Sequence, residues 1–182
     1  YDEDRWPSGS AGGMITKDRA YRMKHIRMQN GPVREDAQVV GMFSCRLDGK
    51  NVYDVQKLDD PSQAMGDVIW FEVITRPCHS NYNGGAYLDT MSQPATEAFL
   101  HSTHEKYLQE CGEKIGSAIK GVFTDEPHRG ELLVDVTREG LELAACIPYT
   151  DTLFDRFQKD WGYDLRDKLP AIFLREYGEK VS

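Results

Sequence analysis

The sequence lacks any long apolar run. None approaches the roughly 18 residues that a membrane-spanning helix needs. Basic residues are also scarce, with 22 Lys and Arg against 30 Asp and Glu, so the formal net charge is −8. Because binding to phosphates or to anionic lipids needs clustered Lys and Arg, this balance argues against a nucleic-acid or a membrane partner. The apolar fraction of 40% is ordinary for a soluble globular chain.

Several short enzyme motifs are missing as well. The sequence has no phosphate-binding loop, no dinucleotide fingerprint, no G-x-S-x-G nucleophile turn and no H-E-x-x-H zinc site. Its cysteines contain no C-x-x-C pair, which argues against a zinc ion held by cysteines. We expect four separate thiols, most of them buried, at Cys45, Cys78, Cys111 and Cys146.

Residues 37–76 have a pattern typical of antiparallel strands. Residues 39–47 and 51–55 are apolar runs separated by an Asp-Gly dipeptide, which is a strong signal for a hairpin. Residues 68–74 are continuous enough in apolar side chains to predict a buried strand. The sequence therefore predicts a small antiparallel β segment here, preceded by a short helix within residues 17–28.

The second half of the chain predicts an alternation of helices and strands. A helix begins near Ser92 and ends at Gly112. Residues 119–124 predict a strand. A helix capped by Thr150 or Asp151 follows and ends at Gly162. Helix, strand, polar loop and helix in this order are typical of a parallel sheet or a barrel.

The strongest candidate for chemistry is the acidic pair Asp125 and Glu126. The pair follows the predicted strand, and Pro127 ends that strand because it has no N–H for the ladder. Active sites of barrels and open α/β sheets lie at this end of their strands. His128 comes next, and we expect it near a substrate held there, although simple exposure explains it equally well. The alternative is a solvated loop in which these are ordinary surface residues.

Two further segments contain residues of the kind that bind a sugar. A Gly-Gly pair precedes an apolar stretch that ends at Asp89, although this residue is equally explained as a helix cap. Near the start, Asp2 and Asp4 lie beside Trp6. Carboxylates accept hydrogen bonds from hydroxyls, and an indole face stacks on the C–H face of a sugar ring. The same acids are oxygen ligands of the kind that Ca²⁺ takes, and a frayed, charged terminus is the remaining alternative.

Several motifs together resemble bacterial glycoside hydrolases. The group in question comprises the large multidomain proteins related to glycoside hydrolase family 106, the α-L-rhamnosidase-like group. The motifs run through the chain in the expected order, and they are fairly specific as a set. They are Tyr-Asp-Glu-Asp-Arg-Trp-Pro-Ser-Gly at residues 1–9, Tyr87-Leu-Asp89, Thr103-His104-Glu105-Lys-Tyr107, Phe123-Thr-Asp-Glu-Pro127, and Trp161-Gly-Tyr-Asp-Leu165 with Leu169-Pro170.

The resemblance implies an α/β fold, namely a partial (β/α)₈ TIM-barrel-like catalytic domain with an antiparallel β insertion. Residues 1–36 would then begin the barrel, residues 37–76 would form the insertion, and residues 77–182 would supply the βα units with the Asp-Glu-Pro motif. A complete barrel needs about 250 residues, so we expect about three or four βα units here, with the remainder in a larger polypeptide.

The function that the resemblance implies is hydrolysis of O-glycosidic bonds in oligo- or polysaccharides, α-L-rhamnosides among them, by carboxylate general acid/base catalysis. Glu126 is assigned as the catalytic acid, and Asp125 is the neighbouring carboxylate that helps it keep its proton. Ca²⁺ is the one candidate cofactor, without assigned ligands, and a bacterial cytoplasm or periplasm is the expected compartment. The assigned substrate-binding residues are Asp2, Asp4, Trp6, Tyr87, Asp89 and His128.

Two alternatives remain beside this function. The first is a non-catalytic carbohydrate-binding or structural module that binds sugar through Trp6. The second is a metal-dependent hydrolase that uses Asp125, Glu126 and His128. Adjacent residues on a strand point to opposite faces, which argues against the second alternative.

Overall fold

A computed structural model describes residues 10, 13–49, 51–124 and 146–176. This part of the chain divides into two compact units. The first unit contains the described residues of Tyr1–Lys24 and Thr75–Leu133, and the second contains those of His25–Ile74 and Val134–Ser182. Each unit is thus assembled from two stretches that are distant in sequence.

The second unit is built on a curled, mostly antiparallel sheet that forms a half-barrel. The strand order across the sheet is β5-β1-β4-β2-β3-β6. β2 pairs antiparallel with both β3 and β4, whereas the two-residue β6 pairs parallel with β3. The strands are β1 (Lys24–Asn30), β2 (Val39–Asp48), β3 (Asn51–Lys57), β4 (Asp67–Thr75), β5 (Cys146–Tyr149) and β6 (Arg175–Glu176).

This sheet shows that the predicted α/β fold with a partial (β/α)₈ barrel is wrong. A βα barrel places a helix after each parallel strand. Here β2 pairs antiparallel with β3, the strand that follows it, and with β4, the strand after that. The antiparallel strands within residues 37–76 form the centre of the sheet. The predicted division of the chain at residues 36/37 and 76/77 stays a prediction.

Two predicted secondary-structure elements are also wrong, namely the helix within residues 17–28 and the strand over residues 119–124. Within residues 17–28 the chain forms β1 and short 3₁₀ turns instead of a helix. The side chains of β1 alternate, since Ile26 and Met28 pack in the core while Arg27 contacts a carboxylate on the other face. Residues 119–124 form no continuous strand, because only the single residues Ile119 and Phe123 make bridges there.

Four α-helices complete the described structure, and local signals account for their ends. The Oγ of Ser92 accepts a hydrogen bond from the backbone N of Ala95, so Ser92 is the N-cap of α1, as predicted. The single helix expected from Ser92 to Gly112 is interrupted at Thr103. Gly162, with φ of 79°, ends the third helix as predicted. The helices are α1 (Gln93–Ser102), α2 (His104–Cys111), α3 (Leu153–Trp161) and α4 (Leu169–Phe173).

The core of the second unit lies between one face of the sheet and the helices α3 and α4. Its buried side chains come from the sheet, from both helices and, at Leu165, from the short 3₁₀ turn between them. The opposite face of the sheet carries a smaller cluster of Met42, Leu58 and Trp70. Within the described ranges, no helix has the length and apolar character to cross a membrane. The main cluster contains Ile26, Phe43, Cys45, Val52, Ile69, Phe71, Val73, Tyr149, Phe154, Leu165, Leu169 and Phe173.

Candidate binding cleft

A cleft of about 380 Å³ opens beside the β2–β3 pair of the second unit. This volume is within the range of small-molecule sites, which is roughly 300–1,000 Å³. Three segments of the chain contribute to the cleft, namely β2, β3 and residues 65–67, which end the connection into β4 and include its first residue, Asp67. The lining residues are Ser44, Cys45, Arg46, Asp54, Gln56, Met65, Gly66 and Asp67.

A β-bulge shapes the floor of this cleft. Ser44 pairs with Gln56 and Arg46 pairs with Tyr53, so a single residue of β2 opposes two residues of β3. At the bulge Asp54 has a φ of 54°, in the left-handed region that Gly prefers and that Asp tolerates better than most residues. Bulges of this kind bend a strand and redirect its side chains, and they are common next to functional sites.

Residues 65–67 form a fixed wall on the other side. The backbone N of Met65 donates to the Oγ of Ser44 at 3.1 Å, and the backbone N of Leu47 donates to Asp67 Oδ2 at 2.8 Å. Gly66 lies so close to β2 that a Cβ there would be 2.5 Å from the carbonyl oxygen of Cys45. A side chain at Gly66 would therefore push the wall away from the strand.

The polar side chains around the cleft are both donors and acceptors. The Arg46 guanidinium lies 4.3 Å from the centre of the Tyr53 ring, and its Nε donates to Asp54 Oδ2 at 3.3 Å. Gln56 and Asp67 are exposed to solvent. Guanidinium groups only donate, ionised carboxylates only accept, and an amide does both. This set suits a ligand that carries several hydroxyl groups.

The cleft contains no activated nucleophile. Burial, with a smaller contribution from the nearby charge of Asp67, raises the pKa of the Cys45 thiol to about 11, so the thiol is protonated at neutral pH. All four cysteines are free thiols, as predicted, but only Cys45 is fully buried, which corrects the expectation that most are. No group of three or more His, Cys, Asp or Glu among the described residues has the geometry of a metal site.

The residues assigned from the sequence do not line this cleft where the structure describes them. Tyr87 and Asp89 lie in the first unit, and each is only 2% exposed. Their role in substrate binding stays a prediction. The other assigned residues lie outside the described part of the chain, and they are Asp2, Asp4, Trp6, Asp125, Glu126 and His128.

Asp89 is held in the turn that leads into α1. Its Oδ1 accepts a hydrogen bond from the backbone N of Met91 at 3.1 Å, and its own backbone N donates to the carbonyl oxygen of Tyr21 at 2.9 Å. Because the cap of α1 is Ser92, Asp89 does not cap the helix. The Gly-Gly pair before it allows close packing, since a Cβ on Gly85 would lie 2.6 Å from the Cα of Gly13.

Sequence reasoning did not single out the cleft, although one signal for it is present. Val52 and Val55 both contact the main core, yet they are three residues apart. Side chains on one face of a regular strand recur every second residue, so this spacing requires a bulge between the two valines. The bulge brings Asp54 to the edge of the cleft.

No protein-family model, curated protein or solved structure matches the chain. The relationship to glycoside hydrolase family 106 therefore stays a prediction from the motifs, and any function has to be argued from the residues themselves.

Proposed function

We propose that the chain binds carbohydrate in the cleft beside the β2–β3 bulge. The observation that carries this proposal is the mixed set of exposed hydrogen-bonding side chains around the cavity. Arg46 and Gln56 are available to donate, and Asp54 and Asp67 are available to accept. Sugar hydroxyls do both, so neighbouring hydroxyls of one ring can pair with such a set. Met65, which is 92% exposed, adds an apolar surface that suits the C–H face of a ring.

The open geometry favours weak binding of part of a longer saccharide. The polar groups of the cleft are hydrated before binding, so each new hydrogen bond contributes a net of only about 1 kcal/mol. Four such bonds correspond to a dissociation constant of about 1 mM for one sugar unit. Tighter binding would require additional units that contact the surface around the cleft.

Titration of the chain with a panel of oligosaccharides, including α-L-rhamnosides, tests this proposal. Chemical shifts of backbone amides would locate the site, and we expect the largest changes in β2, β3 and residues 65–67. Gln56→Ala removes an exposed amide that lines the cleft. The variant should therefore bind the saccharide about fivefold more weakly, which corresponds to the loss of one hydrogen bond.

Gln63→Ala is the matched control, because Gln63 is an exposed glutamine that does not line the cleft. It should bind as the wild type does. Equal affinity of the Gln56→Ala variant and this control would move the site elsewhere, and a failure of every saccharide to bind would refute carbohydrate binding by the chain.

We propose glycoside hydrolysis as a second function. It is supported by the acidic pair in Phe123-Thr-Asp-Glu-Pro127 and by the resemblance of the motif set to family 106. In this proposal Glu126 protonates the leaving oxygen while a second carboxylate attacks or activates water. The acid must keep its proton near neutral pH, and repulsion by the adjacent Asp125 would favour this.

Turnover of aryl glycosides, with the α-L-rhamnoside first, tests the second function. Glu126→Gln should lower the rate by about 10²–10⁴-fold, because that is the usual contribution of a positioned general acid. Glu110→Gln serves as the control, since Glu110 is an exposed glutamate of α2. A rate in the Glu126→Gln variant above about a tenth of the wild-type rate would contradict the assignment.

A further inference from the structure

The charges around the cleft are unequal. Its ionised side chains are the carboxylates of Asp54 and Asp67 and the guanidinium of Arg46, and the Cys45 thiol is neutral at pH 7. The positive charge is already engaged, because Arg46 pairs with Asp54 and lies over the ring of Tyr53. Among the described residues, Asp67 forms no ion pair, so the cleft keeps one uncompensated negative charge.

One carboxylate oxygen of Asp67 is available to accept a hydrogen bond from a ligand. Its Oδ2 accepts from the backbone N of Leu47, which fixes the carboxylate at the rim, while no contact of Oδ1 is seen in this part of the chain. An ionised carboxylate cannot donate, so a partner at Oδ1 must bring the hydrogen. A hydroxyl satisfies this requirement, and an ammonium group satisfies it with opposite charge and a stronger bond. An ionised carboxylate on the ligand has no hydrogen to donate, and it carries the same charge as Asp67.

We infer that the cleft selects saccharides by charge, so that an amino sugar binds better than its N-acetylated analogue and a uronic acid binds worst. This inference rests on the proposed carbohydrate binding and names the substrate class of the same site. The ammonium group pairs with Asp67, and the ring hydroxyls pair with Gln56. A uronic acid meets repulsion from Asp67, and the positive charge of Arg46 is already offset by Asp54.

The expected preference is modest because the site is open to solvent. Exposed ion pairs contribute little, and a charge-assisted hydrogen bond adds to that contribution. We expect about tenfold tighter binding of the amino sugar at low salt, which is about 1.4 kcal/mol. Since the Debye length shortens to about 3 Å at 1 M salt, the preference should fall to about threefold or less there.

The test uses three tetrasaccharides, built from glucosamine, N-acetylglucosamine and galacturonic acid, titrated into the full chain at low and high salt. Asp67→Asn removes the charge, while its amide oxygen can still accept from Leu47. This variant should bind the glucosamine and N-acetylglucosamine tetramers equally, because its side chain has no charge to pair with the ammonium group. Asp36→Asn removes the same charge from a side chain that is 83% exposed and does not line the cleft, and it should keep the preference.

The outcomes distinguish selection by charge from carbohydrate binding itself. Equal binding of the glucosamine and N-acetylglucosamine tetramers, or a preference that persists in Asp67→Asn, would overturn selection by charge and leave carbohydrate binding intact. Loss of the preference in Asp36→Asn as well would assign it to the net charge of the chain and overturn the role of Asp67. A failure of these tetramers and of the whole oligosaccharide panel to bind would overturn carbohydrate binding itself.

Discussion

Phe71→Ala should lower the free energy of unfolding of the second unit by about 4 kcal/mol, as is usual when a fully buried Phe is truncated. Phe71 is 0% exposed and lies in the centre of the sheet on β4. Its ring packs edge-on against Phe43, with 5.9 Å between the ring centres, and against Phe173 of α4 at 5.2 Å. Removing the ring leaves a void that the paired strands β2 and β4 cannot move to fill, because their hydrogen bonds fix their spacing.

Urea denaturation followed by circular dichroism measures this effect. Phe71→Leu keeps an apolar side chain in the same space, so its cost should be smaller, at about 1–2 kcal/mol. Phe123→Ala is the matched control, because the Phe123 side chain is 61% exposed and its loss should change stability by less than about 0.5 kcal/mol. If Phe71→Ala and Phe123→Ala lower the free energy of unfolding equally, the sheet does not pack on α4 as the structure shows.

Local signals in the sequence were sufficient for several elements. The Asp-Gly dipeptide between two apolar runs correctly predicts the β2–β3 hairpin, in which Asp48 pairs with Asn51. Gly162 correctly predicts the end of α3, because the left-handed conformation there is one that Gly adopts without strain. Each of these signals acts over a few residues, so the chain around it contains all the necessary information.

The topology could not be predicted in this way, because it depends on pairing between distant segments. β1 lies between β4 and β5, and β5 begins more than a hundred residues after β1 ends. An alternation of apolar and polar segments does not show which strands become neighbours. Residues 119–124 illustrate the point, since their apolar composition suits a strand but no partner strand lies beside them among the described residues.

The cleft depends on the same kind of distant contact. Its wall is held by bonds between β2 and residues about twenty positions further on, such as that between Leu47 and Asp67. Predictions based on motifs instead favoured acids at the ends of segments, and one of these, Asp89, proved to be buried in a turn. The unusual spacing of Val52 and Val55 was the one local sign of the bulge, and it becomes meaningful only when both are known to face the core.

Glu72 provides the second large effect, because it is a buried carboxylate surrounded by donors. Its side chain is 1% exposed and lies on the sheet face opposite the main core. Oε1 accepts from Arg27 Nη2 at 2.8 Å and from Gln29 Nε2 at 2.7 Å, and Oε2 accepts from Arg34 Nη2 at 2.6 Å. The bond from Arg34 attaches residues 31–38 to the sheet, since Arg34 lies in the connection between β1 and β2, whereas Arg27 and Gln29 belong to β1.

The surroundings of Glu72 lower its pKa. Burial is the largest single influence and raises the pKa, but the hydrogen bonds from Gln29 and Arg27 and the charges of Arg27 and Arg34 together outweigh it. A carboxyl whose pKa is lower in the folded state contributes stability above its unfolded pKa. That contribution is lost as the pH falls through the folded pKa. The stabilisation from Glu72 is therefore complete at pH 7 and disappears in acid.

Glu72→Ala should lower the free energy of unfolding by about 2–3 kcal/mol at pH 7. Loss of one partner from a fully buried ion pair costs about 3–5 kcal/mol. The cost here is smaller because the side chains of Arg27 and Arg34 are 41% and 52% exposed and can turn to water. Glu72→Gln keeps an acceptor for one donor but loses the charge, so it should cost about half as much.

Urea denaturation of the wild type and the Glu72→Ala variant across a range of pH measures the contribution directly. The difference between them should be constant near neutral pH and should shrink as the pH falls below about 4.5, the ordinary value for a glutamate. Glu35→Ala is the control, because Glu35 is an exposed acid of the same connection and its loss should change little at any pH. A difference that stays constant down to acid pH would mean that Glu72 stabilises the sheet by packing alone, and the connection would then be held by something other than this charged network.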